Sequence, residues 1–94
     1  MEKLNIKNLK SHRCEVTLGN KMVIMPEISA KILAYLNRHP NKARTRDDIT
    51  QSVWGHIYIS KRSVDIAVMK IRKAFGSHII ETAKGGIGYK FAEL

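Results

Sequence analysis

The sequence predicts an α+β fold in three stretches: an N-terminal antiparallel sheet, three helices and a C-terminal β-hairpin. Three observations carry this expectation. Residues 15–25 alternate polar and apolar side chains around a Gly19-Asn20 pair. Val64, Val68, Ile71 and Phe75 recur at spacings of four, three and four, which is helical. A glycine-rich stretch, Lys84-Gly85-Gly86-Ile87-Gly88, separates two short strand-like runs near the end.

Taken in order, Glu15 to Leu18 and Lys21 to Met25 form strands about the Gly-Asn turn, and Leu4 to Leu9 alternates as a further strand. Pro26 ends the sheet and can serve as a first helical residue. Ile28, Ile32, Leu33 and Leu36 then define the apolar face of a first helix, with Met25 offering no side-chain cap. Arg38 and His39 lie at its negative end and Pro40 stops it. Thr45, followed by Asp47 and Asp48, opens a second helix whose buried side is Ile49, Val53 and Trp54, with Gly55 as its end. Ser60 caps the third helix, which runs to Phe75 and stops at Gly76. Strands at Ile79 to Ala83 and Tyr89 to Phe91 complete the hairpin. A helix pair followed by a terminal hairpin is the winged form of the helix-turn-helix. We expect one domain over 1–94: the sheet in 1–25, the helix-turn-helix in 45–75 and the wing in 79–91.

Composition narrows the function. Seventeen Lys and Arg against eight Asp and Glu give a formal charge of +9. Such a surface suits a polyanion, whether nucleic acid or anionic lipid. No apolar run approaches the ~20 residues that span a bilayer, and the first residues alternate charge and apolarity instead of forming a secretory signal. The single cysteine, Cys14, has no partner for an internal disulfide, which fits a reducing, cytoplasmic setting. His12, His39, His56 and His78 are scattered with no catalytic or zinc-binding spacing, so neither an enzyme nor a metal or cofactor site is expected. Gly85-Gly86-Ile87-Gly88 has no helix after it and is not a phosphate-cradling loop.

The function-bearing pattern lies on the third helix. At about 100° per residue, Arg62, Ser63, Ile66, Met69, Lys70 and Lys73 fall opposite the apolar stripe, with Asp65 and Arg72 at the edge. Cations for phosphates and guanine edges, with apolar atoms for thymine methyls, are what a helix needs in a major groove. A solvated cationic face carrying two stray hydrophobes is the plainer reading of the same residues. Taken alone, Lys84 is a lysine in a glycine turn. Two other classes stay open on the residues themselves. One is a protein-docking winged helix with Ile66, Met69 and Tyr58 as an adhesive patch; the other is an RNA- or ribosome-associated basic domain.

The pieces Thr45-Arg46-Asp47-Asp48-Ile49, Val53-Trp54-Gly55, Arg62-Ser63-Val64-Asp65-Ile66, Ile71-Arg72-Lys73-Ala74, Thr82-Ala83-Lys84-Gly85 and Gly88-Tyr89-Lys90-Phe91, in this order, resemble the OmpR/PhoB-type effector domain. That domain is the DNA-binding half of many two-component response regulators and the N-terminus of ToxR-like activators. The resemblance implies sequence-specific binding of double-stranded DNA by a bacterial transcriptional regulator. It makes Ser60 to Phe75 the recognition helix, with Arg62, Ser63, Ile66, Met69, Lys70 and Lys73 toward DNA and Arg72 on a phosphate. It places Lys84, beside Gly85, at the minor groove, and His56, Ile57 and Tyr58 in a loop that can touch RNA polymerase. Trp54 becomes a core residue at the base of that loop. Tandem or dimeric binding on DNA is a further expectation. Departures from the pattern are Ala67 and Met69 where polar or basic residues are common, Lys61 where an acid is common, and a wing turn one residue longer than usual.

Overall fold

In a computed structural model of the chain, residues 3–54 and 60–92 are described, Trp54 by its backbone alone. The polypeptide begins with three strands, β1 (Leu4–Asn8), β2 (Arg13–Leu18) and β3 (Lys21–Pro26), paired antiparallel in that order. Their register sets Ile6 opposite Val16 opposite Val23, and Asn8 opposite Cys14 opposite Met25. With a period of two, one face therefore collects Cys14, Val16, Leu18 and Met25, all buried, while the other keeps Lys7, Glu15 and Met22.

That apolar face is covered by α1 (Glu27–Asn37), whose Ile32, Leu33 and Leu36 are fully buried. Pro26 closes β3 and stands one position before the helix, not in its first turn as the sequence suggested. No side chain caps α1. The Glu27 N–H instead donates to the His12 carbonyl at 2.8 Å, so the β1–β2 turn satisfies an amide that the helix cannot. At the other end the Arg38 N–H donates to the Ala34 carbonyl.

A two-residue strand, β4 (Arg44–Thr45), leads into α2 (Arg46–Trp54). The Thr45 hydroxyl accepts from the Asp48 N–H at 3.0 Å and the Asp48 carboxylate accepts from the Thr45 N–H at 3.1 Å. This reciprocal box is the cap read from Thr45 and Asp48. Ile49 is buried beneath it; the Trp54 side chain and the loop holding His56, Ile57 and Tyr58 lie outside the described residues.

Helix α3 (Lys61–Phe75) opens on Ser60, whose hydroxyl accepts from the Ser63 N–H at 3.2 Å, and closes on Gly76. Its buried stripe holds Val64, Val68, Ile71 and Phe75, as expected, and Ala67 as well. Ala67 thus belongs to the packed side, and its carbonyl accepts a buried bond from the Ser29 hydroxyl of α1 at 3.1 Å.

A 3₁₀ turn, Ser77–Ile79, precedes β5 (Ile80–Thr82), and β6 (Gly88–Phe91) closes the fold. The strand expected at Ile79 to Ala83 is shorter because Ile79 turns into the core and Ala83 begins the wing turn. The second sheet has the order β4-β6-β5, three strands where the sequence suggested two. β4 escapes a pattern reading because two residues cannot display an alternation.

Candidate nucleic-acid interface

All six side chains placed opposite the apolar stripe of α3 are exposed: Arg62, Ser63, Ile66, Met69, Lys70 and Lys73. Ile66 and Met69 are 39% and 51% exposed, held between cations on a face with no acid. Arg62, Lys70 and Lys73 have no hydrogen-bond or ion-pair partner among the described residues. The Ser63 hydroxyl lies 3.0 Å from that of Ser60, so it is shared with the helix cap.

The wing joins β5 to β6. Its turn, Lys84–Gly86, is kinked at Gly85, and Lys84 and Gly85 are exposed. Gly85 and Gly86 adopt φ of 80° and 71°, the left-handed region where a side chain is strained. At Gly88 the constraint is different, because a Cβ there would lie 1.9 Å from the Arg44 carbonyl oxygen. Only glycine lets β6 approach β4 that closely, opposite Thr45.

A polar junction fixes the wing to the helices. The Asp65 carboxylate of α3 accepts from Arg46 Nε of α2 at 2.7 Å and from the Tyr89 hydroxyl of β6 at 2.5 Å. Arg46 also donates to the Gly86 carbonyl in the wing turn at 2.6 Å, and its guanidinium lies 5.2 Å from the Tyr89 ring centre. Burial pushes the Asp65 carboxyl up, but the hydrogen bonds from Tyr89 and Arg46 outweigh it and leave Asp65 below its ordinary value. Burial, with the same carboxylate, holds the Tyr89 hydroxyl above its usual range. The bond to Asp65 likewise raises Arg46.

Arg72, given a phosphate contact by the resemblance, also makes bonds within the protein beside this junction. Its Nε and one terminal nitrogen donate to the Ile80 carbonyl at 3.0 and 2.7 Å, and that nitrogen reaches the Thr82 hydroxyl at 3.1 Å. Its guanidinium also sits 5.5 Å from the Tyr89 ring centre. The geometry makes Arg72 a pin between α3 and β5. Arg46 and Tyr89 stand in the family-like motifs, yet nothing in the sequence around them shows a role. An arginine at a helix start and a Gly-Tyr pair at a strand start do not reveal that they share one carboxylate 19 and 24 residues away.

The family model for "Transcriptional regulatory protein, C terminal" matches residues 20–91. The chain belongs to this family, the OmpR/PhoB type. Its relatives include the phosphate regulon transcriptional regulatory protein PhoB of Pseudomonas aeruginosa, 33% identical over 86 residues, which cover 87% of this chain and 36% of that protein. The chain thus spans a little over a third of the curated relatives it matches. Among solved structures, the response regulator DrrB of Thermotoga maritima superposes with a TM-score of 0.73 at 25% identity, over 94% of this chain and 44% of that one. The C-terminal DNA-binding domain of RstA from Klebsiella pneumoniae gives 0.70 at 28% identity, over 83% and 76%. The winged-helix architecture is therefore that of OmpR/PhoB-type domains, a family of transcription regulators and not of enzymes. Among the described residues no helix is long and apolar enough to cross a membrane.

Proposed function

We propose that this OmpR/PhoB-type domain binds duplex DNA sequence-specifically for a bacterial transcriptional regulator. The exposed face of α3 enters the major groove, with Lys84 and Gly85 at an adjacent minor groove. The observation that carries this reading is the acid-free stripe of Arg62, Ser63, Ile66, Met69, Lys70 and Lys73, open to solvent on a rigid helix. Lys70, in the middle of that stripe, reads a base edge, and Lys73, one turn nearer the helix end, meets a phosphate. Ile66 and Met69 supply apolar contact for thymine methyls. A single module covers a short half-site, so tandem or dimeric binding on repeats follows. The regulator works in the cytoplasm, and contact with RNA polymerase through the His56, Ile57 and Tyr58 loop belongs to the same reading.

Selection from a random duplex pool tests this directly, because it returns both the preferred bases and the repeat spacing. On the selected site, the three open cations of α3 and the wing that do not read a base (Arg62, Lys73, Lys84) imply a log–log salt slope of about −3 at ~0.9 per phosphate. No enriched sequence, together with a slope near zero, defeats the proposal. The exposure of Ile66 and Met69 favours one second reading, a protein-docking face. That reading gains if replacing both by serine leaves DNA affinity intact.

A further inference from the structure

Outside α3 and the wing, two cations without a partner among the described residues, Lys10 and Arg13, flank the turn that joins β1 to β2. Lys10, Ser11, His12 and Arg13 are all exposed, and Ser11 and His12 take φ of 63° and 57°. Two backbone bonds hold this shape: Leu9 N–H to the Arg13 carbonyl and Glu27 N–H to the His12 carbonyl, each 2.8 Å. The second bond ties the turn to the first residue of α1, which is itself pinned to α3 through Ser29 and Ala67. The turn therefore keeps a fixed position relative to the exposed face of α3.

It also lies beside that face. A hollow of about 290 Å³ is lined by Ser11, His12, Arg13, Pro26 and Lys70, among others. A second hollow of about 290 Å³ shares Pro26 and Lys70 and continues to Lys73 and Ala74. Together they make one trough running from the turn to the C-terminal half of the face, with β3 as its floor. Arg13, Lys70 and Lys73 stand on its walls, and no acidic side chain lines either hollow. Two acids stand close by: Glu27 lies 3.8 Å from both His12, at the edge of the trough, and Lys31, and Glu15 is set opposite Lys7 and Ile24 in the sheet. Like charges around an acid-free trough repel one another, and an anion seated between them relieves that repulsion.

We propose that the β1–β2 turn is a third DNA contact, in which Arg13, with Lys10 beside it, binds a backbone phosphate flanking the segment that α3 reads. The proposal rests on the duplex-DNA reading above. It extends the footprint from helix and wing onto the N-terminal sheet. A guanidinium suits the task because its planar donors match two phosphate oxygens. The contact adds affinity and register without base preference.

The test compares wild type, Arg13→Ala, Arg13→Glu and, at the far end of the sheet, Lys21→Ala. Each is titrated against the selected duplex and against the same duplex trimmed to the base pairs whose identity is read. Arg13→Ala keeps its melting temperature, weakens the long duplex by ~3–10-fold on every sequence and flattens the salt slope by about one. Arg13→Glu loses more, Lys21→Ala loses nothing, and none changes the preferred bases. The Arg13 penalty vanishes on the trimmed duplex, which lacks the flanking phosphate. If Arg13→Ala binds the long duplex like wild type, the third contact is wrong while the α3 reading stands. If wild type selects no duplex sequence, both fall.

Discussion

Arg72 and Lys73 are neighbours in sequence, both cationic and both on the last turns of α3, yet they have opposite surroundings. The Arg72 guanidinium is bonded to the Ile80 carbonyl and the Thr82 hydroxyl and lies over the Tyr89 ring. Lys73, one step of about 100° further round, is exposed and meets no partner among the described residues. The same contrast separates two halves of the functional surface. At the helix–wing junction Arg46 and Tyr89 bond Asp65 and Arg72 bonds Ile80 and Thr82, whereas on the open face Arg62, Lys70 and Lys73 have no such partner among the described residues. Net charge therefore overstates the number of phosphate contacts. A cation already bonded to carbonyls and a carboxylate shapes the site, and only an unpartnered one is available to a ligand.

The most severe way to break this division is to unseat the wing. Gly88→Ala forces a Cβ onto the Arg44 carbonyl, and the backbone must move apart at a cost of about 3 kcal/mol. Thermal denaturation should show the loss, and DNA binding should weaken through the displaced wing. An unchanged melting temperature means that β4 and β6 are not packed as described.

The next largest effect sets the two neighbours against each other. Arg72→Ala should cost about 2 kcal/mol of stability, because it leaves the Ile80 carbonyl without its charged donor. It should lower affinity without changing the salt slope. Lys73→Ala should keep its melting temperature and flatten the slope by about one. Should Arg72→Ala flatten the slope while melting like wild type, Arg72 is a phosphate ligand and the comparison fails.

Within the open face, Lys70→Ala should cost about 1–2 kcal/mol on the selected site and relax preference at one base position. Met69→Ala should lose less, and only at sites with a thymine beneath it. These are read by titrating single-base variants of the site. A uniform loss for Lys70→Ala, with a neighbour changing the base preference, would reorient α3 in the groove.

The smallest effect is pH-dependent. The Asp65 carboxyl is held below its ordinary 3.8, so its contribution is present above that pH and is lost as pH falls through the lower folded value. Asp65→Asn should cost about 1 kcal/mol near neutrality, and its difference from wild type should shrink below pH 3.8. A difference that persists undiminished into stronger acid would show that the carboxylate's charge does not hold the junction.

Much of the fold was legible in advance because local chemistry states it. The four-three-four spacing from Val64 to Phe75 defines the packed side of α3, and by subtraction its open side, before any neighbour is known. Ser60, Thr45 with Asp48, and Gly76 mark helix ends through bonds or conformations that lie within a few residues. The Gly19-Asn20 turn fixes β2 against β3 in the same way. What required the tertiary structure was every relation between residues far apart in the chain. β4 exists only because β6 pairs with it, and Ala67 joins the buried side because α1 presses there. The His12 carbonyl caps a helix that begins fifteen residues later. Arg72, polar and at the edge of the stripe, gives no sign in the sequence that folding brings Ile80 and Thr82 beneath it. A side chain's type sets which bonds it can make; which of them it does make depends on what folding delivers within about 3 Å.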